Sequence, residues 1–266
     1  MKMVMVDQDG VLMGRNYQTT ADVKSFLQGL PKEIKIIPNS DTPVKRISNN
    51  FEVLAGLQTD VVIGEKGAVV LCGGRISLIS NIQGIGDYLK RLRRAFSNLD
   101  CDIVTGDSAT WIREGKRFAS NRRMLIIDGL RKQTIGFYIR TTNSDGVACL
   151  DDLWFNAGVA ITKSIPLPTG LEAKDFNAKY GIIIMNAIGV SKTDGYRFLR
   201  QKYPGAVFYM IGDGDMDIID DPNVIHCAVA NASTNFKKIA RFVSDKEITA
   251  GLIDCLQWIV KQRPVS

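Results

Sequence analysis

"MKMVMVDQDG" (residues 1–10) is an apolar run, Met3 to Val6, that stops on two aspartates one residue apart, with a glycine behind them. A short continuous apolar run ended by turn residues reads as a buried parallel strand. Two carboxylates at its end repel, and burial strengthens the repulsion. Asp7 and Asp9 therefore belong either to a solvated turn or to a site whose chemistry needs both.

Outward from this strand the pattern alternates. "ADVKSFLQGL" (21–30) has helical period, with Val23, Phe26, Leu27 and Leu30 on one face, Thr19 or Thr20 as cap and Pro31 as a stop. "IKIIP" (34–38) is a second buried strand. "TPVKRISNNFEVLAGL" (42–57) is a helix, with Pro43 in its first turn and Gly56 near its end, and "DVVIG" (60–64) is a third strand. The β-α-β-α-β order argues for a parallel sheet with helices on its faces. A hairpin follows at "AVVLCGGRISLI" (68–79), around Gly73 and Gly74. "GIGDYLKRLRRAF" (84–96) is helical, with Ile85, Leu89, Leu92 and Phe96 on one stripe. "CDIVTGD", "RRMLIIDGL" and "TIGFYIRTT" read as strands of an antiparallel sheet; "DDLWFNAGVAITKSI" reads as a helix and "GIIIMNAI" as a strand. Parallel grammar returns with the helix "TDGYRFLRQKY", the strands "AVFYMIGDGDMD" and "VIHCAVA", and the helix "ITAGLIDCLQWIVKQ". The expected organisation is one α/β domain of residues 1–82 and 188–266, interrupted by an α+β lobe of residues 83–187.

Composition narrows the function classes. A chain of 266 residues, 45% hydrophobic, buries a large core. Its charge of +6 suits an anionic ligand. With no RNA-binding motif of interleaved aromatics, nucleic acid is not the expected partner. Five cysteines stand singly, without a CxxC pair, which reads as reduced thiols in a cytoplasmic compartment. His226 is the only histidine, so an imidazole-built zinc site or a Ser-His-Asp triad is close to excluded. No stretch reaches the roughly 18 apolar residues of a membrane span, and the start lacks a signal-peptide layout. A soluble monomer or homodimer is expected.

Two strands end alike: "MVMVDQDG" carries Asp7 and Asp9, and "FYMIGDGDMD" carries Asp213, Asp215 and Asp217. Ligands bind at the carboxyl edge of an open parallel sheet, so both clusters belong on one edge, where "IIPNSD" also delivers Ser40. Alone, an Asp-x-Asp-Gly is as often a plain turn as a site, and Gly-Asp-Gly is a turn too. Together they make a set of converging carboxylates, which a hard cation reconciles; Mg²⁺ takes such oxygen ligands along with phosphate oxygens.

These stretches resemble the haloacid dehalogenase (HAD) superfamily. "VMVDQDGVL" resembles its first motif, "KIIPNSD" its second, "SKTDGYRFL" its third and "MIGDGDMD" its fourth, in order and across nearly the whole chain. "VVIGEKGAVV" and "AVANASTNFKKIARFVS" are similar to the Cof-like branch, in which an α/β cap lies between the second and third motifs. The resemblance implies a Rossmann-like parallel-sheet core and an inserted α+β cap. It implies a Mg²⁺-dependent phosphatase that hydrolyses a small phosphorylated metabolite, a sugar or polyol phosphate, through an aspartyl-phosphate. Asp7 would be the nucleophile and Asp9 the general acid and base. Mg²⁺ would be held by Asp7, the Asp9 carbonyl and Asp213, with Asp217 either a ligand through water or a partner of Lys192. Ser40 and Lys192 would bind the phosphoryl group beside Asn39. Arg113, Arg122 and Arg123 of the cap would bind a second anionic group of the substrate.

The chain departs from the branch at three places. Ser-Asp-Thr replaces the usual Ser/Thr-Gly-Arg and is nearer the phosphomannomutase branch. Met216 stands where Asn is usual, and Gln8 separates the two aspartates. A phosphomutase and a catalytically impaired binding protein are the alternatives these departures raise. Cap runs such as "KRLRR" read more readily as solvated helix faces, Trp111 and Trp154 as core, and His226 as a satisfied core histidine.

Overall fold

The computed structural model describes residues 1–14 and 17–262, and the chain forms two compact units. The first comprises Met1–Ile79 and the chain from Val190 onward; the second is Ser80–Gly189. In chain order the first unit begins with β1 (Lys2–Val6), α1 (Val23–Gln28), β2 (Ile34–Pro38), α2 (Val44–Ala55), β3 (Val61–Gly64), β4 (Val69–Cys72) and β5 (Arg75–Leu78). The second holds α3 (Ile85–Ser97), β6 (Cys101–Gly106), α4 (Ser108–Arg113), β7 (Arg123–Asp128), β8 (Ile135–Thr142), β9 (Ala148–Cys149), α5 (Asp152–Ser164), β10 (Leu171–Asn177) and β11 (Ile182–Ala187). The first unit resumes with α6 (Lys192–Lys202), β12 (Val207–Gly212), β13 (Val224–Ala228), α7 (Thr234–Ile239), β14 (Phe242–Val243) and α8 (Ile248–Lys261).

A five-stranded parallel sheet in the order β14-β13-β12-β1-β2 forms the centre of the first unit. Every residue of β1 is buried, as a central strand covered on both faces requires. Val6 pairs with Ile211 on one side and Pro38 on the other, so β12, β1 and β2 end level with one another.

β3 does not join this sheet as a full strand. It pairs antiparallel with β4 in a separate three-stranded sheet and meets β2 through one bridge, Asn39 to Ile63. The reason is Pro38. The Asn39 N–H donates to Val6 O and the Ser40 N–H to Ile63 O, so alternation along the strand puts the N–H that proline lacks on the β3 side. The ladder begins only beyond it.

The sheet of the second unit is mixed, not antiparallel throughout. Its order is β10-β11-β8-β7-β6, with β9 on β8, and β6 pairs parallel with β7. Between those strands the chain crosses over through α4 and returns in the same direction, where a hairpin was expected. β10 lacks an alternating apolar pattern and carries a register shift between Ala173 and Asp175, which hid it in the sequence. Tyr88, Leu92 and Phe96 of α3 are fully buried, and Phe96 meets the Trp154 ring of α5 edge-on at 5.7 Å. Two smaller expectations also change. Neither Thr19 nor Thr20 caps α1, whose N-cap position is Asp22 without a side-chain bond. Pro43 is the N-cap residue of α2, and Gly56 ends that helix at φ 62°.

All five cysteines are free thiols, and no helix among the described residues is long and apolar enough to cross a membrane.

Candidate active site

Asp7 follows β1 directly, and its N–H donates to Ile211 O at 3.0 Å, which fixes it at the β1–β12 edge. Asp213 follows β12 on one side, and Ser40 lies just past β2 on the other. The sheet register therefore carries these three residues to one place from three separate parts of the chain. Carboxylate oxygens of Asp7, Asp213 and Asp217 lie within 4.8 Å of one another.

Lys192 binds this cluster from the first position of α6. Its Nζ donates to Asp7 Oδ1 at 2.6 Å and to Asp217 Oδ1 at 2.5 Å, and the ammonium is buried with both partners. A cation at a helix N-terminus opposes the helix dipole, so the two carboxylates have to offset both that and the desolvation. Ser191 and Asp194 close a capping box around the start of the helix and hold Lys192 in place. Burial alone would lower the Lys192 pKa, but Asp7 and Asp217 together raise it, so the ammonium stays charged. Asp217 is thereby a partner of Lys192. Its second oxygen, Oδ2, accepts from the N–H groups of Asp213 and Gly214 at 2.9 and 3.0 Å, folding the acidic turn around it.

Two glycines make room. A Cβ at Gly10, where φ is +84°, would fall 2.1 Å from Asp213 Oδ2; one at Gly212 would fall 2.5 Å from Asp217 Cβ. Three carboxylates against one ammonium leave an excess of negative charge. Burial, then the charge of Asp217, push the Asp213 carboxyl up to about 6. The same two causes press Asp7 upward against the pull of Lys192. A compact set of hard oxygen donors with unbalanced charge fits a divalent cation such as Mg²⁺.

Asp9 is exposed, but its carboxyl is pushed up to about 6, first by loss of hydration among the protein atoms around it and then by the charge of Asp41. Gln8, which the sequence left without a role, donates from Nε2 to Asp9 Oδ2 at 3.1 Å and accepts at Oε1 from Asn50 of α2 at 2.9 Å. The Ser40 hydroxyl lies 3.4 Å from Asp41 Oδ1 and accepts from the Thr42 N–H at 3.3 Å. Asn39 corrects an expectation. Its side chain is fully buried, with the amide against the sulfurs of Met5 and Met210, so it packs inside the sheet layer rather than reaching a substrate.

Asn231, in the stretch similar to the Cof-like branch but given no role there, also belongs to the cluster. Its amide donates to Gly10 O at 2.9 Å and to Asp213 Oδ2 at 3.3 Å, while Oδ1 accepts from the Ile248 N–H. The signal was its place in "AVANAS" right after a buried strand. His226 accepts the Ile219 N–H at Nε2 and is a structural residue of β13.

The cap arginines have local partners within the second unit. Arg122 bonds Asp100 and Asp102 at 2.8 and 3.1 Å, Arg113 pairs with Glu114 at 3.3 Å, and Arg123 lies over the Trp154 ring at 5.1 Å. Trp154 is core, with its indole N–H on Met124 O; Trp111 carries the Lys116 ammonium 3.5 Å from its ring centroid.

No protein-family model and no curated protein matches this sequence. Solved structures do. A haloacid dehalogenase-like hydrolase from Bacteroides thetaiotaomicron superposes with a TM-score of 0.62 at 12% identity, covering 97% of this chain and 99% of its own. The chain has the haloacid dehalogenase fold. A phosphatase of the HAD superfamily from the same organism superposes at 0.55 with 19% identity, over 97% and 94% of the two chains. A trehalose-6-phosphate phosphatase related protein superposes at 0.55 with 16% identity, over 97% of each. The coverage extends through both units, and the HAD fold places the carboxyl ends of β1, β2 and β12 at one edge of its sheet.

Proposed function

We propose that the chain is a Mg²⁺-dependent phosphoric monoester hydrolase acting on a small phosphorylated metabolite of the sugar or polyol phosphate class. The observation that carries this reading is Lys192 bonded to both Asp7 and Asp217, with Asp213 within the same few ångströms. A buried cation among carboxylates, at the carboxyl edge of a parallel sheet, is the arrangement phosphoryl transfer needs: a nucleophile, a fixed positive charge and a place for a metal. Solved structures of the same fold include phosphatases, one of them related to a sugar-phosphate phosphatase.

In this reading the Asp7 carboxylate attacks phosphorus, and the bond from phosphorus to the ester oxygen breaks as the Asp7–phosphorus bond forms. Asp9 gives its proton to the departing oxygen. It then takes one from the water that attacks the aspartyl-phosphate, which frees Asp7 and releases phosphate. A carboxyl pushed up to about 6 serves both steps near neutral pH, because it is present in both forms. Lys192 and the Ser40 hydroxyl hold the phosphoryl oxygens. The Asp7 and Asp213 carboxylates with the Asp9 carbonyl would hold Mg²⁺, which would supply positive charge to offset that of the phosphoryl group. Substrate selection would fall to the cap, where Arg113, Arg122 and Arg123 are the candidate anion contacts.

Phosphate release from p-nitrophenyl phosphate tests this. Wild type with Mg²⁺ turns over, chelation stops it, and Asp7→Asn is inactive. Equal rates for wild type and Asp7→Asn, unchanged by chelator, would rule the reading out. Sugar phosphate isomerised without phosphate release would point to a mutase instead.

A further inference from the structure

The residue between the two aspartates is a glutamine whose side chain is 2% exposed, and its amide is committed at both ends. Oε1 accepts from Asn50 Nδ2 at 2.9 Å, and Nε2 donates to Asp9 Oδ2 at 3.1 Å. While Asp9 is ionised the direction of this chain is fixed chemically: a carboxylate oxygen only accepts, so the NH₂ of Gln8 faces Asp9 and its carbonyl faces Asn50, and with Oδ2 engaged the acid's proton is carried on Oδ1. Asn50 is itself buried on the inward face of α2, between Ile47 and Phe51, where an amide is costly unless bonded. α2 thus spends a core position on a polar group whose partner is Gln8. Gln8 is also locked through its backbone, because its carbonyl accepts from the N–H groups of Leu12 and Met13. The result is a rigid amide relay ending on one oxygen of an otherwise exposed carboxyl. Fixing one oxygen by a directional bond sets the rotation of the group, and so the direction in which the other oxygen points.

We propose that Gln8, held by Asn50, is a positioning residue that fixes the orientation of the Asp9 carboxyl for proton transfer to the leaving group. The inference rests on the assignment of Asp9 as general acid in the phosphatase reading. Gln8 touches no reacting atom; it acts through Asp9. Loss of the relay leaves the nucleophile, the lysine and the metal ligands in place and lets the carboxyl rotate among conformers that do not face the leaving oxygen.

Leaving-group dependence separates this role from a structural one. Phenyl phosphate departs as a strong base and needs a proton; 2,4-dinitrophenyl phosphate departs as a weak base and does not. In Gln8→Met, a near-isosteric change, and in Asn50→Leu, kcat/KM for phenyl phosphate should fall about 10- to 100-fold, the size of a misaimed general acid. That for 2,4-dinitrophenyl phosphate should stay within about twofold. The double variant should be no worse than Gln8→Met alone, because Asn50 acts only through Gln8. An equal fall on both substrates, or additive effects of the two substitutions, would overturn the proposal. If Gln8→Met fails to fold, Asn50→Leu reads the same substrate contrast from a position that does not touch Asp9. A wild type that hydrolyses neither ester faster than Asp7→Asn would be a failure of the phosphatase reading itself, and that control is run first.

Discussion

A methyl group at position 10 would occupy the space that Asp213 Oδ2 now fills, and residue 10 sits at a positive φ that side chains resist. Gly10→Ala therefore pushes one acidic loop off the other. We expect a loss of about 1–3 kcal/mol in stability and of about 100-fold in kcat, read by urea denaturation and turnover. Lys192→Met tests the charge argument at the same scale. It leaves Asp7 and Asp217 buried without their shared cation, so proton uptake should compensate and stability should rise as pH falls toward about 5. Wild type, in which Lys192 still offsets the charge of Asp7 and Asp217, should gain less over the same range, and a variant pH profile equal to that of wild type would contradict the ion cluster. Most of this site is legible in the sequence, because Asp7, Ser40, Lys192, Asp213 and Asp217 each follow or begin an element whose pattern is plain. Gln8, Asn50 and Asn231 are not, since an amide carries no charge pattern and its role depends on a partner 42 residues away, or on a backbone oxygen across the fold.

Elements are tied at their ends by side chains whose sequence signature is weak. Lys2, inside an apolar strand, donates its three protons to the carbonyls of Ile259, Val260 and Gln262 at 2.7, 3.3 and 2.6 Å, and so caps the end of α8. Lys2→Met leaves those carbonyls without that donor and should lower the unfolding free energy by about 1–3 kcal/mol while leaving the site's turnover unchanged. His226 ties the turn after Asp217 to β13 in the same way, accepting Ile219 N–H as a neutral ring. Burial lowers its pKa in the folded state. The unfolded chain then binds the proton more readily, so this contribution is present above about pH 6.5 and is lost as pH falls below it. His226→Gln keeps an acceptor without the titration. Its urea midpoint should drop less than that of wild type between about pH 7.5 and about pH 5.5. Strand direction was one part of the element reading that failed. The parallel β6–β7 pair depends on the crossover through α4, and the exclusion of β3 from the main sheet depends on one missing N–H at Pro38. Neither leaves a trace in hydrophobic period.

On the scale of the molecule, the two ends of the chain build one unit and its middle builds another, joined where residues such as Asn81, Gln83, Ile188 and Gly189 are exposed. Brief proteolysis should cut first in these connections and yield three fragments, with ends near Ile79 and Gly189: the middle one matches the second unit by mass and the outer two together match the first. Early cuts inside β7 or β12 would contradict this division. The proposed phosphatase mechanism turns on one covalent event, the transfer of a phosphoryl group to Asp7. Acid quenching of a reaction with an aryl phosphate and Mg²⁺, followed by peptide mass mapping, measures it directly. The account predicts the mass of one phosphoryl group on the peptide that carries Asp7, present in wild type and absent in Asp7→Asn. Turnover with that peptide unmodified at every quench time, or the phosphoryl group found on another residue, would contradict it.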